Sequence, residues 1–166
     1  MENSFLTPGQ HEAISTGSDY FKPSDGLTKV RVLTPPIQFF GVWVKDGGEP
    51  VKHSSMLEKE LEALATKDDK VKRTWGLVVW DYATGNVLPW EVTQVSIINA
   101  LISFHNAGLN PLTFDLNILR TGEKLQTKYT LQPLTPTPLD ALALDIVEAH
   151  TFNMDGFVDG TEIVIA

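Results

Sequence analysis

Residues 73–92 constrain the fold more strongly than any other part of the sequence. Residues 73–82 are rich in β-branched and aromatic side chains, Ala83-Thr84-Gly85-Asn86 is typical of a tight turn, and residues 87–92 return to β-forming composition. Two such runs joined by a Gly-containing turn predict a β-hairpin. This hairpin makes a fold built mainly from strands the first expectation.

Four further segments predict strands, because they alternate in hydropathy or are rich in β-branched and aromatic residues. They are residues 29–33, 37–45, 114–119 and 128–132. Thr34-Pro35-Pro36 separates the first two, since proline cannot donate to a β-ladder. Pro133, Pro136 and Pro138 end the last strand. Residues 1–26 have weak periodicity and predict an irregular arm.

Three segments predict helices. Ser54 is the expected cap of a short helix at 55–65, and Thr93 the cap of a helix at 94–106 that ends at Gly108. Residues 139–150 predict a short amphipathic helix, and residues 151–166 a flexible end with an apolar tip. The expected buried stripes are Leu57, Leu61 and Leu64 in the first helix, and Ile97, Leu101 and Phe104 in the second.

The predicted order of elements is five or six strands with one helix inserted before the last pair. A small Greek-key barrel of the OB type has this plan, and a mixed α+β sandwich fits it as well. The expected organisation is an N-terminal arm at 1–21, a mainly-β domain at 22–133, and an acidic C-terminal segment with a short extra helix at 134–166.

The net charge of -8 opposes nucleic-acid binding, but its distribution along the chain weakens that objection. All 13 Lys and Arg residues lie between Lys22 and Lys128, so residues 22–133 carry +1, whereas residues 134–166 carry -6. The acidic ends are equally well interpreted as solvated tails that promote solubility. There is no cysteine, which excludes disulfides and thiol nucleophiles and agrees with a cytoplasmic location.

Catalytic and metal-binding patterns are weak, so no enzyme activity, cofactor or metal is expected. The chain has no phosphate-binding Gly-rich loop and no nucleophile elbow, and its four histidines lack ligand spacing. A calcium loop starting at Asp155 would place Phe157 and Ala166 where oxygen ligands are required. No segment has the length of a membrane span, and residues 1–10 lack the basic residues of a secretory signal.

The pattern that remains is aromatic and basic residues interleaved on strands, which is how single strands are held without sequence readout. Trp43 is the first stacking candidate; for every aromatic the alternative is an ordinary core position. Phe39, Gly41 and Trp43 share one predicted strand face, and Phe40, Val42 and Val44 share the other, which is expected to be buried. The candidate nucleic-acid contacts are Arg31, Phe39, Trp43, Lys45, Lys70, Lys72, Arg73, Trp75, Trp80, Tyr82, Arg120, Lys124 and Lys128.

Three stretches together resemble bacteriophage single-stranded DNA-binding proteins of the OB-fold replication and recombination class. They read GLTKVRVL with FGVWVKDGGEPVK, WGLVVWDY with WEVTQVSI, and FDLNILRTG with TKYTL, at 26–33, 40–52, 75–82, 90–97, 114–122 and 127–131. Their order and spacing, rather than any single motif, carry the resemblance. The chain lacks the zinc-binding subdomain that some of these proteins have.

The resemblance implies an OB fold, binding of displaced single-stranded DNA in the host-cell cytoplasm, and contacts from the acidic C-terminal segment to replication proteins. The expected partner-binding residues are Asp155, Asp159 and Glu162. The -6 charge of residues 134–166 adds the hypothesis that this segment competes with DNA, so that its removal tightens binding. Self-association is left open.

Two other classes of function compete with this one. The first is an OB-like adaptor or inhibitor that binds a replication enzyme and no DNA, which the charge of -8 favours. The second is a small nuclease, which the lack of a plausible metal cluster disfavours.

Overall fold

The computed structural model of the protein describes residues 20–45, 47–66 and 68–166. The arm predicted at 1–21 lies almost entirely outside these residues. Within them, nine strands and four helices occur together with two short 3-10 turns, at 111–113 and 124–126. The strands are β1 (Gly26–Val32), β2 (Ile37–Val44), β3 (Val51–Ser55), β4 (Lys72–Asp81), β5 (Asn86–Val92), β6 (Asp115–Thr121), β7 (Lys128–Pro133), β8 (Thr151–Phe152) and β9 (Val164–Ile165). The helices are α1 (Glu58–Glu62), α2 (Val95–Asn106), α3 (Ala141–Glu148) and α4 (Gly156–Asp159).

A seven-stranded antiparallel sheet organises the molecule around β4, the longest strand. The predicted hairpin is confirmed, since β4 pairs with β5 from Trp75 opposite Val92 to Asp81 opposite Asn86. The other edge of β4 pairs first with β2 and then with β1. β1 continues to β6 and β7, and β3 pairs with the far end of β2.

β1 and β2 behave as one long strand that is broken at residues 33–36. Val32 lies opposite Val79 and Ile37 opposite Gly76, so the break adds two residues to one side of the ladder. Because the shift is an even number of residues, even-numbered residues point to the same face of the sheet in β1 and in β2. The Thr34 hydroxyl accepts a hydrogen bond from the Val78 backbone N–H at 3.1 Å, which satisfies the donor at the break.

The inner face of the sheet, which carries Leu77 and Val79, packs against α2. Ile97, Ile98 and Leu101 of the helix are buried against it, together with residues from β1, β5 and β6. The predicted apolar stripe of this helix is therefore confirmed, although Gln94 rather than Thr93 stands at the N-cap. This side of the molecule forms the main hydrophobic core.

The outer face, which carries Phe39, Val78 and Trp80, is also buried. It is covered by residues 139–165, here called the C-terminal layer, with Ala143, Phe157 and Ile163 at its centre. The prediction of a flexible end at 151–166 is therefore wrong: β8 and β9 pair around α4, and Phe157 and Ile163 are buried. The physical reason is that the apolar side chains of this segment cover the outer face of the sheet. Burying the two apolar surfaces against each other is more favourable than leaving both in water.

The sheet is not a closed barrel. Its path runs β3-β2-β4-β1-β6-β7 with β5 attached to β4, and no ladder joins β7 to β5 across the part of the chain that the structure describes. The mainly-β class is confirmed, but closure of the predicted barrel is not found. The predicted helix at 55–65 shrinks to α1, where Leu61 alone is buried while Leu57 and Leu64 are exposed. Ser54 does not cap it; the Ser55 hydroxyl accepts from Leu57 N–H and donates to Glu60.

Candidate nucleic-acid interface

The far end of the outer face is left open by the C-terminal layer. Trp43 is 61% exposed there and lies directly opposite Lys52 of β3 in the ladder. Gly41, two residues earlier on the same face, lies opposite Lys72 of β4. An exposed indole thus has cations on both flanking strands, and these three side chains, Trp43, Lys52 and Lys72, are called the cationic strip.

Gly41 has no side chain, which leaves space above the sheet for the Lys52 side chain. A Cβ built at Gly41 would lie 3.7 Å from Lys52 Cε and 3.8 Å from Thr74 Oγ1, so the Lys52 side chain passes over the glycine toward β4. Its ammonium forms an ion pair with Glu91 of β5, which holds the chain extended across the outer face. A phosphate arriving at Lys52 would compete with that carboxylate.

Further predicted cations surround the strip. Lys45 and Lys70 are exposed in the connections next to it, and Arg73 is exposed on the opposite face of β4. Lys70 and Lys72 share a shallow depression with Glu58, Glu62 and Asp69, which offsets part of their positive charge.

Two predicted stacking residues are buried between the outer face of the sheet and the C-terminal layer. Phe39 is fully buried with its ring centroid 6.1 Å from that of Phe157, and Trp80 is buried 6.3 Å from Tyr82 in an edge-to-face contact. The indole N–H of Trp80 has no hydrogen-bond partner among the described residues. Neither ring is accessible to a base, so Phe39 and Trp80 do not belong to the open interface.

Trp75 is half-buried on the inner face. Its indole N–H donates to Gln38 Oε1 at 3.1 Å across the ladder. It therefore does not join Trp43, which is on the other side of the sheet. Trp90 is buried against Phe21 with the ring centroids 5.3 Å apart, so its indole is a core residue.

Arg31 is a structural residue in this fold. It is buried, its Nε donates to Asp115 Oδ1 at 2.8 Å, and its Nη2 donates to the Thr137 carbonyl at 2.6 Å. Asp115 also accepts from the Tyr82 hydroxyl at 2.9 Å. Burial, followed by this hydrogen bond, raises the pKa of Tyr82 to about 12. Arg31 and Tyr82 therefore anchor the chain that leads into the C-terminal layer.

Arg120, Lys124 and Lys128 lie at the opposite end of the long β1–β2 strand. Gly26, at the start of β1, pairs with Arg120, whereas Trp43 lies near the end of β2. Arg120 forms an ion pair with Asp25 at 3.2 Å, and Lys124 and Lys128 are exposed around the β6–β7 turn. The structure does not bring these three residues to the cationic strip.

The acidic residues predicted to bind partners are exposed on the C-terminal layer. Asp155 precedes α4 and Asp159 ends it, while Glu162 lies in the following turn. The Thr161 side chain and backbone N–H both donate to Asp159 Oδ1, and these hydrogen bonds lower the pKa of that carboxyl. The carboxylates therefore project from an ordered layer rather than from a detached tail.

Sequence reasoning missed Lys52, because it placed no strand at residues 51–55. The available signal was the Asp46-Gly47-Gly48 turn directly after a predicted strand, which is typical of a hairpin in which the chain returns beside β2. No group of three or more His, Asp or Glu side chains suited to a metal ion occurs within residues 20–45, 47–66 and 68–166. Over the same residues, no helix is both long and apolar enough to cross a membrane.

Comparison of the chain with protein-family models, curated proteins and solved structures gives no match.

Proposed function

We propose that the protein binds single-stranded DNA without sequence preference, through the cationic strip at the open end of the outer face. The observation that carries the proposal is the exposed Trp43 indole on β2, with Lys52 opposite it on β3 and Lys72 opposite Gly41 on β4. An indole offers a flat surface for any base, and flanking ammonium groups neutralise the neighbouring phosphates.

The connectivity of the sheet supports an OB-type origin for this surface. If β1 and β2 count as one bent first strand, β4, β5, β6 and β7 supply the other four, with α2 between the third and fourth. The first strand pairs with the second and the fourth, as OB topology requires. β3 is then an addition that widens the sheet beside Trp43. The roles in DNA replication and recombination and the bacteriophage class remain proposals based on the sequence resemblance.

The proposal predicts how much each substitution should weaken DNA binding. Removing one stacking aromatic from a single-strand site costs about 1–3 kcal/mol, so Trp43→Ala should weaken oligo-dT binding by ~5- to 150-fold. Removal of one cation that neutralises a phosphate should reduce the slope of log K against log salt by about 0.7 for single strands. Lys52→Gln and Lys72→Gln should each show such a reduction, whereas Trp43→Ala should leave the slope nearly unchanged.

The first experiment is a titration of labelled oligo-dT, and of a duplex of equal length, followed by fluorescence anisotropy at about 50 and 200 mM salt. A label on the DNA is needed because Trp43→Ala removes the tryptophan whose emission would report on stacking. Leu27→Ala is the matched control, since Leu27 is also 61% exposed but lies at the other end of the long strand. Trp43→Phe should keep most of the affinity.

Equal affinities of Trp43→Ala and Leu27→Ala for oligo-dT would refute the stacking site. Equal binding of oligo-dT and duplex would refute single-strand selectivity. No binding of either would leave the adaptor function, with no direct DNA contact, as the better proposal. The net charge of -8 and the exposed carboxylates of the C-terminal layer favour that second candidate.

A further inference from the structure

A deep apolar cleft lies on the side of the sheet away from the cationic strip. It has a volume of about 620 Å³ and lies between the break in the β1–β2 strand and the C-terminal half of α2. Its lining includes Pro35, Pro36, Trp75, Ile102 and Leu109. The cleft exists because the two prolines interrupt the ladder and leave the inner core uncovered at this point.

A second depression lies next to the cleft along α2 and carries cations. Arg73 and Trp75 are alternate residues on the same face of β4, and Ile98 and Ile102 are one helical turn apart on α2. This depression has a volume of about 470 Å³, and Lys72, Arg73 and Ile98 line it. Lys72 and Arg73 are exposed and form no ion pair with another described residue. The groove along α2 therefore has an apolar end and an end lined by Lys72 and Arg73.

The chemistry of the wall discriminates between possible occupants. Among the polar residues of the wall, Thr34, Trp75 and Asn110 each hold a hydrogen bond within the chain, with Val78, Gln38 and Leu112 respectively, and the His105 imidazole is exposed. A nucleobase has more polar edge atoms than His105 alone can satisfy, so its burial here would leave some of them without partners, which is unfavourable. Bulky aliphatic or aromatic side chains carry no such penalty, and the volume exceeds what one side chain needs.

From this juxtaposition we propose that the groove binds a peptide segment of a partner protein, with bulky apolar side chains in the cleft and carboxylates on Lys72 and Arg73. The segment lies along α2, so its apolar part contacts Ile102 and Leu109 while its acidic part reaches β4. This site shares Lys72 with the cationic strip, but its other residues are not part of the strip, and the proposal does not depend on DNA binding.

The test uses a short fluorescein-labelled peptide in which leucines and a phenylalanine are followed by a run of aspartates. Its binding to the full chain is measured by anisotropy. Leu109→Asp is the cleft variant and Leu119→Asp its matched control, because these leucines are 39% and 40% exposed and Leu119 lies on β6 away from the cleft. We expect Leu109→Asp to weaken peptide binding at least ~10-fold and Leu119→Asp to leave it unchanged, because only the first places a charge at the centre of the apolar interface.

Arg73→Glu should weaken peptide binding and remove most of its salt dependence, whereas Lys128→Glu should not. Replacing the apolar residues of the peptide with serine should abolish binding, while oligo-dT affinity should be the same for Leu109→Asp and the original chain. The proposal is overturned if the original chain does not bind the peptide, or if Leu109→Asp and Leu119→Asp bind it equally. It is also overturned if Leu109→Asp loses oligo-dT binding instead, which would assign the cleft to nucleic acid.

Discussion

Gly76 provides the sharpest test of how the C-terminal layer is held. A Cβ built at this position would lie 2.7 Å from Cγ and Cδ2 of Phe157 and 2.9 Å from Cδ1. Ordinary contacts of a Cβ begin at about 3.4 Å, so Gly76→Ala forces the ring away from the sheet. The ring cannot move freely, because Phe39 and Tyr20 pack around it with centroids 6.1 and 6.3 Å away.

The expected cost of Gly76→Ala is about 1–3 kcal/mol of unfolding free energy, as for other overpacked cores. Full displacement of Phe157 sets an upper limit of roughly 3–5 kcal/mol. Gly41→Ala is the matched control: it is also a strand glycine, but its Cβ meets nothing closer than 3.7 Å. That change should be neutral or stabilise by about 0.5–1 kcal/mol, because alanine restricts the unfolded chain.

Urea unfolding of the two variants measures this difference, with tryptophan emission reporting on Trp80 in the same core. A double variant with Phe157→Ala completes the test, since removing the ring removes the clash. The double variant should be more stable than the sum of the two single effects predicts, by at least ~1 kcal/mol. Equal stability of Gly76→Ala and Gly41→Ala would refute the reasoning that Phe157 fixes the layer on the sheet.

Three further predictions concern the polar network and the C-terminal layer. Asp115→Asn leaves the buried Arg31 charge without its partner and should lower the free energy of unfolding in urea by about 3–5 kcal/mol. The double variant Arg31→Met with Asp115→Leu should recover most of that loss. If Asp115→Asn destabilises the protein no more than Lys128→Gln does, this prediction is wrong. The pKa of Tyr82 is raised from 10.0 to about 12, so its contribution to stability is complete below pH 10 and is lost as the pH rises toward 12. Tyr82→Phe should therefore make the loss of stability between pH 10 and 12 less steep. An unchanged pH profile would count against the Tyr82–Asp115 hydrogen bond. Neutralising Asp155, Asp159 and Glu162 together, as Asn, Asn and Gln, should tighten oligo-dT binding at low salt without unfolding the layer; identical affinity would remove the competition hypothesis.

The competition hypothesis needs that neutralised variant because the structure changes what a truncation would test. A chain ending at Pro133 loses the Thr137 carbonyl that binds Arg31 and exposes Phe39, Val78 and Trp80 to water. Its altered DNA affinity would report a damaged fold rather than the release of a tail. Neutralisation changes the charge and keeps Phe157 and Ile163 in place.

The candidate site was only partly predictable. The exposed position of Trp43 agrees with its rank as the first stacking candidate, and Lys72 is exposed on the same side. Phe39 shares that strand face with Trp43 but is buried, because Phe157 covers one end of the face and nothing described covers the other. Period-two alternation assigns a residue to a face, and it cannot tell which length of that face another segment will cover.

By itself, the sequence determined six of the seven strands of the sheet, all except β3, and the placement of α2. Alternating apolar residues, the Gly85-Asn86 turn and the 3.6-residue stripe of Ile97 and Leu101 act locally, so they are readable without knowledge of distant contacts. Only the tertiary structure decided that the C-terminal layer buries most of the outer face, that Arg31 is paired with Asp115 eighty-four residues away, and that no ladder joins β7 to β5 among the described residues. These features depend on contacts between segments far apart in the chain, where burial and charge pairing outweigh local preference.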